Sequence, residues 1–113
     1  MTINFKNIGN SLATRFLGQE FRMDIELALS KNEFVVFDFE GVDFISHSFA
    51  DECFGKLLLT IKLSELKQKT TFKNANELIK KTIAFTLKER LIEGGFLIQS
   101  HPPPYLHRHP IPF

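Results

Sequence analysis

The spacing of apolar residues along this chain alternates between the two-residue period of strands and the three-to-four-residue period of helices. Residues 2–6 read as a short strand with Ile3 and Phe5 on one face. Asn7 to Asn10, with Gly9, carry turn chemistry. From Ser11 the period becomes helical through Leu12, Phe16, Phe21, Ile25, Leu27, Ala28 and Leu29, with Gly18 as a weak point inside it. Residues 34–39 form an almost unbroken apolar and β-branched run. This predicts a central parallel strand covered by helices on both faces. Gly41 ends it, and residues 42–45 are a second short extended piece.

At Ser48 the helical period returns with Ala50, Phe54, Leu57, Leu58 and Ile61, predicting one amphipathic helix of about four turns. Lys67 to Lys69 lead into Thr70, Thr71 and Phe72, a strand polar enough for a sheet edge. Asn74 followed by Glu77 starts a last helix that runs to about Ile92 and stops at Gly94 and Gly95. On that helix Ile79, Ile83, Leu87 and Leu91 make one stripe, and Leu78, Phe85 and Ile92 a second. Residues 96–99 read as a final strand, and the proline-rich residues 100–113 as an extended or disordered tail. The order of elements implies an α/β domain over residues 1–99, with a small parallel or mixed sheet of about four strands and three main helices.

The 113-residue length suits one domain, and a hydrophobic content of 43% with thirteen Phe supports a filled core. The single cysteine, Cys53, excludes an internal disulfide framework and fits a reducing compartment. With no apolar leader or membrane-length segment, the expected location is the cytoplasm. The net charge of +1 hides a polarity. Between Lys31 and Lys56 stand Glu33, Asp38, Glu40, Asp43, Asp51 and Glu52 with no Lys or Arg, and from Lys56 to Arg90 nine basic residues face three glutamates.

The expected site is the stretch from Gly41 to Glu52, where a strand end delivers Ser46 and Ser48 to a helix start. Asp38, Glu40, Asp43, Ser46, His47, Ser48, Phe49, Asp51 and Glu52 are its candidate partner-binding residues. Ser48 with Asp51 three residues later has the form of a helix cap, which by itself accounts for both. His47 and Asp51 stand four apart, yet one histidine among scattered carboxylates does not make a zinc or iron ligand set. His107 and His109 add two ligands at most. Cys53 reads as packing, no glycine-rich phosphate loop is present, and Asp38 has no evident catalytic partner. No enzyme activity, metal or cofactor is expected. The lysines of the basic half are dispersed and lack interleaved aromatics, which argues against specific nucleic-acid binding.

The run from Phe37 to Glu52, with Asp38-Phe39, Gly41-Val42 and Ser48-Phe49-Ala50-Asp51-Glu52, resembles the signature of a bacterial STAS-like domain family of unknown function. Residues 12–18, and Phe72 to Asn76 with Ile79, resemble its first helix, third strand and last helix. That family is similar to the wider STAS class, which includes the anti-sigma factor antagonists. The resemblance implies a small regulatory domain that binds a serine kinase of the histidine-kinase ATPase type and is released when a serine at the equivalent helix start is phosphorylated. By motif position that serine is Ser48, with Ser46 as the alternative acceptor. This chain has Ser46 where the antagonists have an Asp, and Phe49 where they have a Gly. The competing expectation is a self-associating structural domain that uses the last helix or the tail.

Overall fold

The computed structural model describes residues 1–8 and 11–93. Three strands, β1 (Thr2–Asn4), β3 (Val35–Asp38) and β5 (Thr70–Lys73), form a parallel sheet in the order β1-β3-β5. The predicted central strand is central, and the polar strand stands at an edge of the described sheet. A two-residue parallel pair, β2 (Ser11–Leu12) with β4 (Phe44–Ile45), stands apart from it. Among the described residues the α-helices are α1 (Arg15–Ser30), α2 (His47–Cys53), α3 (Leu63–Lys69) and α4 (Glu77–Glu93). Residues 96–99, expected as a last strand, and the tail lie outside the described residues.

The register sets Ile3, Phe37 and Phe72 side by side on one face of the sheet. On that face Val35, Phe37 and the following Phe39 are essentially solvent-free. Thr2, Val36 and Thr71 share the opposite face, where Thr2 and Thr71 are exposed and Val36 is half-buried. The expectation of a strand covered on both sides is therefore corrected. A phenylalanine cluster forms the one-sided core. Phe5 stacks on Phe39 at 4.5 Å, and Phe37 meets Phe54 edge-on at 5.1 Å. Ile25, Ala28 and Leu29 of α1 and Ile79, Ile83 and Leu87 of α4 close it. Burying this much aromatic and aliphatic surface supplies the main driving force for folding.

Two helix boundaries depart from the periodicity. The first helix starts at Arg15, capped by the Thr14 hydroxyl, which accepts from the Leu17 N–H at 3.2 Å. Ser11 and Leu12 are instead drawn into the β2–β4 pair. The helix expected from Ser48 to Ile61 is broken into α2 and a 3-10 segment (Gly55–Leu59), and α3, which the periodicity did not predict, follows it. The break falls at Gly55, where a Cβ would meet Asp51 Oδ1 at 2.7 Å and Arg90 Cγ at 3.1 Å. A side chain there would crowd the Asp51 carboxylate and the Arg90 stem that bonds to it. Gly18, suspected of interrupting α1, sits within an unbroken helix and is buried against α2.

Candidate functional site

The turn after β3 positions the site. Gly41 takes a φ of 80°, a left-handed value natural to glycine, and the Val42 N–H donates to the Phe39 carbonyl at 2.9 Å. Asp38 at the end of β3 accepts from the Glu40 N–H and from Asn74 Nδ2, each at 3.0 Å. The Asn74 amide, and then the Glu40 N–H, hold the Asp38 carboxyl below the usual carboxylate range. Asn74 itself has a φ of 58°, so Asp38 locks the bend between β5 and α4. Its role is to join two loops. Glu40 and Asp43 are exposed, and the Asp43 carbonyl accepts from Asn76 Nδ2 at 3.1 Å.

Ser46, not Ser48, caps α2. Its Oγ accepts from the Phe49 N–H at 3.0 Å and donates to the Ala13 carbonyl at 2.7 Å, which ties the helix start to the segment before α1. The Ser48 capping expectation is thereby corrected: the cap lies two residues earlier, α2 begins at His47, and Ser48 lies inside its first turn, half-buried. Serine and aspartate are comparable N-caps, so Ser46 can fill the structural place that Asp has in the antagonist pattern. Phe49 is fully buried, packing edge-on against Phe5 and Phe21 at 6.3 and 6.0 Å. The bulk that replaces glycine there is turned into the core.

His47 is exposed. Its Nε2 lies 2.9 Å from Glu89 Oε1, and its ring centroid is 5.4 Å from that of Phe85 on α4. Phe85, 47% exposed, flanks the histidine at the surface, and Phe44, 43% exposed, precedes it on β4.

Asp51 and Glu52 point the other way. Asp51 receives Arg90 Nε and Nη2, both at 2.8 Å, and Arg15 Nη1 at 3.0 Å. The Arg90 pair, seconded by Arg15, pulls its carboxyl down to about 2 against the opposing effect of burial. Glu52, buried, takes Arg22 Nη1 at 2.8 Å, Lys56 Nζ at 3.0 Å and Arg15 Nη1 at 3.2 Å. Burial pushes the Glu52 carboxyl up, but Lys56, Arg22 and Arg15 together outweigh it and hold the group low. These two acids clamp α1, α2 and α4 together. They are occupied from inside the domain, and Asp51 is not available to join His47 around a metal. Lys56 stands one helical turn from Glu52, but Arg15, Arg22 and Arg90 carried no signal in the sequence, because each lies 30 or more residues from its partner.

Among the described residues no group of three or more His, Cys, Asp or Glu is arranged to hold a metal. Cys53 is buried, and burial drives its thiol pKa well up, the opposite of what a nucleophile needs. Two surface grooves, of about 800 Å³ along Leu58 to Glu65 and about 310 Å³ between α3, β5 and α4, include none of the predicted site residues. No helix among the described residues is long and apolar enough to cross a membrane.

No curated protein and no solved structure matches the chain. A family model described as a STAS-like domain of unknown function matches residues 18–80. That match spans α1 to the start of α4 and includes the whole Gly41–Glu52 stretch. The chain belongs to this family of STAS-like domains.

Proposed function

We propose that the chain is a non-enzymatic, cytoplasmic regulatory module that docks on another protein through the surface at the start of α2, in the manner of an anti-sigma factor antagonist. The observation that carries this reading is the division of labour between the two serines. Ser46 spends its hydroxyl on the cap and on Ala13. Ser48, in the next half-turn, lies partly open beside His47 and is the better acceptor for a phosphate. Phosphorylation there adds a charge of about −2 to a surface otherwise flanked by Phe44 and Phe85. Such a charge would expel an apolar partner surface. The inward pairing of Asp51 and Glu52 leaves Phe44, His47, Ser48 and Phe85 as the contact set, with Glu40 and Asp43 at its margin.

The partner proposed is a serine kinase of the histidine-kinase ATPase type. The test is capture from native cells by the full chain and by a Phe44→Glu variant. Loss of the captured kinase with Phe44→Glu supports the docking surface, and equal capture by both chains overturns it.

A further inference from the structure

Arg15, Gly18 and Arg22 share, at helical spacing, the side of α1 that lies against α2. The two helices run beside each other from their starts. The Ala13 carbonyl takes the Ser46 hydroxyl at 2.7 Å, a Cβ on Gly18 would meet the Phe49 carbonyl oxygen and Glu52 Cβ, and Arg22 Nη1 donates to the Glu52 carbonyl at 2.7 Å. The backbone of Arg15 therefore passes α2 between the levels of Ser46 and Phe49, beside Ser48. Its side chain runs along α2 and reaches Asp51 at 3.0 Å and Glu52 at 3.2 Å through one nitrogen, Nη1.

Ser48 stands one turn before those two acids. At the helical turn angle its direction from the axis falls between theirs, roughly 60° from Asp51 and 40° from Glu52. A guanidinium that bridges the two carboxylates thus lies in line with Ser48 along the helix.

A phosphate on Ser48 would set a charge of about −2 within a turn of two carboxylates. Four bases hold those acids: Arg15, Arg22, Lys56 and Arg90. Glu89 is paired with His47, while Glu26 and Glu93 bear on Arg22 and Arg90 from further along α1 and α4, away from Ser48. Three of the four bases are committed where they stand. Arg90 is bound to both oxygens of Asp51, Arg22 is 15% exposed, and Lys56 lies beyond Glu52, further still from Ser48. Arg15 is 52% exposed and is shared between acids that each keep another base without it. It can turn without stranding either carboxylate.

We infer that Arg15 is the internal reader of a phosphate on Ser48. Its guanidinium leaves Asp51 and Glu52 and bonds the phosphoryl oxygens, while Arg90 keeps Asp51 and Arg22 and Lys56 keep Glu52. The inference rests on the phosphorylation of Ser48 proposed above and adds its consequence inside the domain: the new charge is held against the start of α1, and α1 gives up one of its ties to the far end of α2.

The experiment uses the full chain with phosphoserine installed at position 48 during synthesis, so no kinase is needed. Nitrogen NMR follows the arginine Nε signals, and phosphorus NMR follows the titration of the phosphate. Installing the phosphate moves the Arg15 signal and leaves those of Arg22 and Arg90 in place. A cation beside the phosphate favours its dianion, so Arg15→Ala raises the titration midpoint by about half a pH unit or more. Arg15→Gln, which keeps most of the stem and drops the charge, gives the same rise, and Lys56→Ala does not. An Arg15 signal that phosphate leaves unmoved, or a midpoint that Arg15→Ala and Lys56→Ala shift equally, overturns the inference. Such a failure counts against Arg15 alone, whereas Ser48 found without phosphate in native cells counts against the regulatory reading.

Discussion

Asp51 on α2 accepts two parallel hydrogen bonds from Arg90 on α4, Nε to Oδ1 and Nη2 to Oδ2, both 2.8 Å, across 39 residues of sequence. Bidentate pairing of this kind is directional as well as strong. It fixes α4 on α2 and, through Arg15 on the same carboxylate, α1 as well. The surface at the start of α2 is presented by this clamp.

The Asp51 pair has a consequence for acid stability. Its folded-state pKa of about 2 lies below the ordinary carboxylate value, so the unfolded chain binds the extra proton first as pH falls. The stabilisation is therefore complete above the ordinary Asp range and is lost as pH drops from there towards 2. The expected size is about 2 kcal/mol. Chemical denaturation from pH 5 to pH 2 should show this loss, and Asp51→Asn should flatten it while lowering stability at neutral pH.

Glu52 is buried against Arg22, Lys56 and Arg15. Glu52→Ala takes the carboxylate from Arg22, whose side chain is only 15% exposed, and leaves it the backbone carbonyl of residue 52 and the more distant Glu26. The expected cost is about 3 kcal/mol, tempered because Arg15 and Lys56 can turn to water. The change in the urea midpoint measures it.

Gly18→Ala pits two effects of opposite sign. Alanine favours a helix interior over glycine by about 1 kcal/mol. A Cβ at this position, however, would meet the Phe49 carbonyl oxygen and Glu52 Cβ at 2.9 Å each and Cys53 N at 3.2 Å. Backbone of the neighbouring helix cannot yield as a flexible side chain does, so the clash should win and the variant lose about 1–3 kcal/mol. A thermal melt decides the sign.

The two serines separate cleanly. Ser46→Ala removes the cap of α2 and the bond to Ala13, for an expected loss of about 1–2 kcal/mol. Ser48→Ala, with no hydrogen bond to break among the described residues, should leave the melting temperature almost unchanged. Equal effects of the two would place the cap wrongly.

Much of this fold was legible because local pattern and burial agree. The run Val35 to Phe39 reads as the central strand and supplies it, and Thr70 to Phe72 reads as the edge and stands at an edge of the described sheet. The helix stripe Ile79, Ile83 and Leu87 faces the core as its spacing requires. What failed were local readings overridden by distant contacts. The periodicity from Ser48 to Ile61 is genuinely helical, but Arg90 packs on Gly55 and the chain turns there. Asp51 and Glu52 look like an acidic face in a stretch without Lys or Arg, and only the tertiary fold delivers Arg15, Arg22 and Arg90 to them. The motif marks a candidate site. It could not say which of its residues face outward.

The most direct test of the regulatory reading is affinity capture of the full chain from its native cells as wild type, Ser48→Ala and Ser48→Asp, with mass spectrometry of the bound proteins and of the peptide that holds Ser46 and Ser48. The account predicts a kinase bound to wild type and to Ser48→Ala, phosphate on Ser48 only in chain free of that kinase, and no kinase on Ser48→Asp. Recovery of unmodified chain without a kinase, or equal binding by Ser48→Asp, would contradict it.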